Sequence, residues 1–274
     1  MFDGRVVDAE SGEPIAGAIV SAAMVVDTTG ADGWYVLANL PRFTDVIRVR
    51  DESVSGELGS YYDLHWRIES LLAHIRLDDL CLVPVLGLES TLWGSYDGDF
   101  REFLKYLTDT RGLSGRSTIF RRWNHYPISV FSPPFTWEGV DLQALAAAAM
   151  NSWESGSGLE LFVETGDFAA ADVVIIYDEW EEDLNKKHHI KTISSNPDGT
   201  PRKMQIWIYP RNTLSPMTIR GQMIFAHEFG HVLQLAHSVD YGHLMVGHTS
   251  PAHYVNGPTV DELRLLRVLH RFPY

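Results

Sequence analysis

The chain has 274 residues, enough for two ordinary domains. Its 22 basic and 36 acidic side chains leave a formal net charge of −14, which speaks against a nucleic-acid backbone as partner, and 45% hydrophobic residues supply cores that a disordered chain lacks. A single cysteine forbids an intramolecular disulfide, and no uncharged apolar run approaches the ~20 residues that span a bilayer.

Residues 1–92 read as short strands. Arg5-Val6-Val7, Ala18-Ile19-Val20, Trp34-Tyr35-Val36-Leu37 and Val46-Ile47-Arg48-Val49 are β-branched or aromatic runs. Between them stand the turn clusters Ser11-Gly12-Glu13-Pro14, Thr29-Gly30-Ala31-Asp32-Gly33 and Asn39-Leu40-Pro41. This spacing predicts an all-β sandwich, with Leu77 to Leu88 as a buried closing strand around Cys81. The pattern Gly4-x-Val6-x-Asp8, Gly12-x-Pro14-Ile15-x-Gly17-Ala18-x-Val20 and Asp32-Gly33-x-Tyr35-x-Leu37 resembles the carboxypeptidase regulatory-like domain. That resemblance covers residues 3–50 well, fades by residue 90, and implies a small β-sandwich.

Residues 93–116 read as a helix and a linker. Phe100, Phe103, Leu104 and Leu107 fall at helical spacing, and Gly112-Leu113-Ser114-Gly115-Arg116 is the linker candidate. Beyond it, residues 117–274 alternate strand and helix patterns. Arg122 to Phe131 reads as a strand interrupted by Pro127, Asp141 to Trp153 as an alanine-rich helix, and Gly158 to Val163 and Ala171 to Tyr177 as strands. His189 to Ser194 and Lys203 to Tyr209 flank the turn signal Asn196-Pro197-Asp198-Gly199 and predict a hairpin. Ser215-Pro216 opens a helix, and Thr259-x-x-Glu262 is a capping box for a last helix packing through Leu263, Leu266 and Leu269.

The chemistry concentrates in His227-Glu228-Phe229-Gly230-His231-Val232-Leu233-Gln234-Leu235-Ala236-His237-Ser238. Residues four apart share one helix face, so the imidazoles of His227 and His231 can converge on one ion. Glu228 stands beside the first histidine, within reach of a metal-bound water. His237 lies six residues past His231, so the chain must leave the helix after Leu233 and turn back for it to serve as third ligand. Three neutral imidazoles suit Zn²⁺ and leave its fourth tetrahedral position for water.

These residues resemble the metzincin zinc endopeptidases, whose pattern is His-Glu-x-x-His-x-x-Gly-x-x-His followed by a methionine-bearing turn. Ser238 and Asp240-Tyr241-Gly242-His243-Leu244-Met245 are most similar to the matrixin branch, which makes Met245 the Met-turn candidate, structural in role. The resemblance covers most of residues 117–274. It implies an α+β zincin-type catalytic domain with a mixed sheet, an active-site helix and a C-terminal helix. It further implies a zinc-dependent endopeptidase: His227, His231 and His237 hold the metal, Glu228 is the catalytic base, and a protein or peptide is the substrate.

Three positions depart from the family pattern. Gln234 stands where the glycine is expected; a left-handed turn there would cost glutamine about 1–2 kcal/mol over glycine, a cost that a different turn would avoid. Gly247 replaces the usual proline of the specificity-pocket wall, and since no tyrosine stands at that position either, a tyrosine ligand is not expected. The matrixin latency motif Pro-Arg-Cys-Gly is missing, and Cys81 reads as a core thiol rather than a zinc-blocking one. His188-His189 reads as a surface pair, and Asp178-Glu179-Trp180-Glu181-Glu182-Asp183 as a solvated loop. His237 and Met245 argue against a protease whose third ligand is a downstream glutamate. The rival from another class is a decayed peptidase that acts as a binding or adhesion protein through its sandwich. The opening Met1-Phe2-Asp3-Gly4-Arg5 carries acid where a signal peptide carries base, so the protein is either intracellular or has had a leader removed; the resemblance to the regulatory-like domain, attached to many extracellular and periplasmic proteins, implies a secreted, periplasmic or cell-surface setting.

Overall fold

A computed structural model describes residues 1–41, 44, 46–51, 64–67, 75–76, 80–82, 123–179, 188–196, 201–210, 218–235, 242–246, 255 and 257–271. Outside them lie the helix and linker expected over 93–116, the Ser215-Pro216 helix start, residues 197–199 of the hairpin turn, and 180–183 of the acidic run. Also outside are His237, Ser238, Asp240, Tyr241 and Gly247. Among the described residues most elements are strands, in several sheets, with three helices, and none of these helices is long and apolar enough to cross a membrane. They group into two compact units, residues 1–82 with 264–271 and residues 123–263.

In the first unit, β1 (Phe2–Asp8) pairs with β4 (Trp34–Leu37), β7 (Ile75–Arg76) and β8 (Leu80–Leu82). A second sheet runs in the order β3 (Val25–Thr28), β2 (Ala18–Ala22), β5 (Val46–Asp51) and β6 (Leu64–Arg67). Alternation along the strands sends Phe2 and Val6, Val20 and Ala22, Tyr35 and Leu37, Val49 and Leu82 into one shared core, as a sandwich requires. Cys81 lies in β8, 4% exposed, with its Sγ 3.6 Å from the carbonyl oxygen of Arg271. The carboxylate of Glu10 accepts from Arg264 Nε at 3.1 Å and from Arg267 at 3.0 Å. Residues 264–271 group with the first unit, and these bonds lie within it.

The second unit is built on one five-stranded sheet, in the order β12 (Phe162–Glu164), β9 (Ile128–Phe131), β13 (Val173–Tyr177), β15 (Pro201–Ile208) and β14 (His188–Ser195). The first four are parallel, and β13, buried over Val173, Val174 and Ile175, has the continuous apolar run that a strand covered on both faces needs. β14 closes the sheet as an antiparallel edge paired with β15, in the hairpin the sequence predicts, and its exposed Lys191, Thr192 and Ser194 suit an edge. A small hairpin that the sequence reading passes over joins β10 (Thr136–Trp137) to β11 (Val140–Asp141). Its two turn residues, Glu138 and Gly139, both have positive φ, 49° and 82°.

Helix α1 (Leu142–Ser157) starts on the side chain of Asp141, which accepts from Ala144 N, and stops at Gly158 with φ 73°. It runs one turn beyond the predicted Trp153. Helix α2 (Thr218–Val232) is the predicted site helix, and α3 (Val260–Arg271) starts at the predicted capping box.

Candidate metal centre

From Met223 onward α2 is apolar nearly all round, the pattern of a helix enclosed by its neighbours. Phe225 meets Tyr177 of β13 edge-on at 6.4 Å between ring centroids, and Phe229 packs on Phe162 of β12 at 5.0 Å. Two indoles fix the helix from other directions. Trp153 of α1 donates to the Ala226 carbonyl at 2.8 Å, and Trp123 donates to the Val232 carbonyl at 2.9 Å. The site helix is thus held by aromatic contacts to the sheet and by hydrogen bonds to its own backbone.

On this helix His227 and His231 stand one turn apart, ring centroids 4.8 Å from each other and planes at 88°. His227 donates from Nδ1 to the Leu244 carbonyl at 2.8 Å, and His231 from Nδ1 to the Leu235 carbonyl at 2.8 Å. A carbonyl oxygen only accepts, so each neutral ring carries its proton on Nδ1 and its lone pair on Nε2. That tautomer, oriented by a backbone carbonyl, is how metal-ligating histidines are held, and both donors fit Zn²⁺. Glu228, between them in sequence, is 2% exposed. His237 lies outside the described residues, and among those described no group of three His, Cys, Asp or Glu side chains is placed to hold a metal.

The turn that offers the Leu244 carbonyl is itself held from below. Met245 is fully buried against the last turn of α2: a Cβ added to Gly230 would overlap its sulfur and come within 3.0 Å of the Trp153 ring. Glycine in a helix interior costs about 1 kcal/mol, and here the close approach of Met245 explains it. The buried carboxylate of Glu262 accepts from Met245 N at 2.7 Å, Leu244 N at 3.3 Å, Thr259 N at 2.7 Å and Thr259 Oγ1 at 2.8 Å. The capping-box glutamate therefore does more than start α3. His243, also buried, brings Nε2 to 3.8 Å from Asp261 Oδ2.

Sequence reasoning missed the roles of Gly230 and Glu262. Their signals were a glycine inside the helix between two histidines, and a capping glutamate four residues after the turn-forming Gly257-Pro258.

At the other end of α2 the chain leaves the helix where the motif requires. Gln234 has φ 68°, its N–H donates to the His231 carbonyl at 3.0 Å, and Leu235 N–H reaches back to the Gly230 carbonyl at 2.9 Å. These are the paired bonds of a Schellman ending with glutamine in the left-handed position. The amide of Gln234 donates to the Val232 carbonyl at 3.2 Å and the His231 carbonyl at 3.4 Å. At about 0.5–1.5 kcal/mol each, such bonds are of the same size as the left-handed penalty.

Elsewhere, His189 is a surface residue, stacked on Trp207 at 5.8 Å and Tyr209 at 5.7 Å, and the side chain of His188 lies outside the described residues. No protein-family model matches the chain, and no curated protein matches it.

Proposed function

We propose that the chain is a zinc-dependent endopeptidase, with a metzincin domain of the matrixin type behind a carboxypeptidase regulatory-like sandwich. The observation that carries this reading is the pair His227 and His231, one turn apart on an enclosed helix, each with Nδ1 tied to a backbone carbonyl, the tautomer in which Nε2 is the nitrogen able to bind a metal. The left-handed exit at Gln234 supports His237 as third ligand, since it ends the helix where the motif has its glycine. The four parallel strands with one antiparallel edge strand, and Met245 seated beneath Gly230, agree with the same family.

Zn²⁺ held by His227, His231 and His237 would supply a Lewis acid that polarises the scissile carbonyl and acidifies water. Glu228 takes the proton of the attacking water and passes it to the leaving amine. Its burial keeps bulk solvent from competing for that proton. The substrate peptide lies extended and antiparallel along β14, using the backbone groups of that edge strand. Leu235 and Leu244 keep the two ring planes fixed while substrate enters.

The test is metal analysis of the purified chain together with casein cleavage, with and without a chelator. One zinc per chain and chelator-sensitive cleavage are expected. Glu228→Ala should retain the zinc and lose on the order of 10²–10⁴-fold in turnover. Full activity of that variant would overturn the mechanism. Zinc binding without cleavage by the wild-type chain would instead favour the decayed, binding-protein reading.

A further inference from the structure

Glutamine is a costly choice for a left-handed helix exit, and the structure indicates what it provides. Its Nε2 reaches three partners: the Val232 carbonyl at 3.2 Å, the His231 carbonyl at 3.4 Å and Met204 Sδ on β15 at 3.8 Å. The Val232 carbonyl also receives the Trp123 indole at 2.9 Å. The exit of α2 is therefore tied to the sheet and to the segment before β9. The next residue, Leu235, carries the carbonyl that accepts His231 Nδ1 at 2.8 Å. The orientation of the His231 ring thus depends on where this turn holds one peptide oxygen. Glycine would keep the two main-chain bonds of the turn but none of the three side-chain ties.

We propose that Gln234 is a positioning residue of the metal centre, its side-chain amide fixing the turn that presents the Leu235 carbonyl to His231. The proposal rests on the zinc-peptidase reading of the site. It treats the departure from glycine as a device of this chain: strain at one residue is exchanged for a stiffer second ligand.

The experiment compares the full-length wild type with Gln234→Gly and Gln234→Asn. Three quantities are read: zinc affinity by chelator competition, the visible absorption spectrum of the cobalt-substituted protein, and thermal stability of the metal-free protein. Gln234→Gly relieves the left-handed strain, so its metal-free form should melt no lower than wild type. It should nevertheless bind zinc about tenfold more weakly, the effect of losing a partner that orients a ligand, and its cobalt bands should change. Asparagine tolerates positive φ but is one methylene shorter, so Gln234→Asn should weaken zinc binding similarly. A cap with no role at the metal would shift melting alone. Wild-type affinity and an unchanged cobalt spectrum in both variants would overturn the proposal. Failure of the wild type to bind either metal would bring down the zinc reading and this proposal with it, and that result appears before any substitution is made.

Discussion

The two histidines of α2 are oriented by the same kind of bond, yet the two carbonyls that receive them are secured by opposite means. Leu244 lies 17 residues past His227, in a turn held by the buried carboxylate of Glu262. Leu235 lies only four residues past His231, in a turn held by the neutral amide of Gln234 and main-chain bonds. A distant acceptor needs a strong brace, because loop entropy favours its departure, whereas a local one needs only its own backbone fixed. The difference teaches that one histidine of the candidate metal centre is tied to global folding and the other to the local ending of a helix.

Removing the brace on the distant side should have the largest effect. Glu262→Ala leaves the buried N–H groups of Leu244 and Met245, and the half-buried one of Thr259, without their acceptor, at about 1–3 kcal/mol for each buried group. A loss on the order of 3–5 kcal/mol in urea unfolding is expected, together with weakened zinc binding. A loss below about 1 kcal/mol would mean that the Leu244 turn holds itself, and the comparison would fail. Gly230→Ala comes next. Helix propensity favours alanine by about 1 kcal/mol, but the new methyl would overlap the Met245 sulfur, and overpacking costs about 1–3 kcal/mol, so net destabilisation is expected. Gly156→Ala sharpens the test. Its methyl would meet Leu263 Cδ1 at 2.7 Å, the end of a flexible side chain that can turn away, so unfolding should move much less.

Much of this was readable beforehand, for identifiable reasons. The alanine-rich run after Asp141 and the Thr259-x-x-Glu262 box define helix starts because capping is local chemistry. The helix exit after Leu233 followed from the need for the chain to turn back towards His237, whereas the left-handed conformation at Gln234 was only one of the turns open to it. What escaped lacked periodicity or depended on distant contacts. β3 is four residues of half-exposed strand, and β7, β10 and β11 have two residues each, too short for a two-residue alternation to register. The pairing of Glu10 with Arg264 and Arg267 spans more than 250 residues, so no window of sequence reveals where 264–271 group. Glu262 was recognised as a cap, but its bonds to Leu244 and Met245 require a fold in which those residues approach.

The smallest effect separates the sheet from both anchors, through two groups at opposite ends of β13. Burial alone would raise the pKa of Asp172, but hydrogen bonds from the Ser129 hydroxyl at 2.6 Å, His125 Nε2 at 3.0 Å and Ser129 N–H at 2.8 Å outweigh it and hold the carboxyl below 3.8. In the acid range the unfolded chain therefore binds the proton first. The stabilisation is complete above the unfolded value and is lost as pH falls through the folded one. Tyr177 behaves in the opposite sense: burial, aided by the charge of Asp141 and opposed by Ser132, pushes its phenol up to about 12. Above pH 10 the unfolded chain releases that proton while the folded one keeps it, so stability falls as pH rises. Asp172→Asn should flatten the acid limb of a pH–stability curve and Tyr177→Phe the alkaline limb, each leaving zinc affinity at neutral pH within about twofold of wild type. A neutral-pH loss of metal in either variant would show that the sheet and the ligand anchors form one energetic unit. The division between a globally braced and a locally braced histidine would then have to be abandoned.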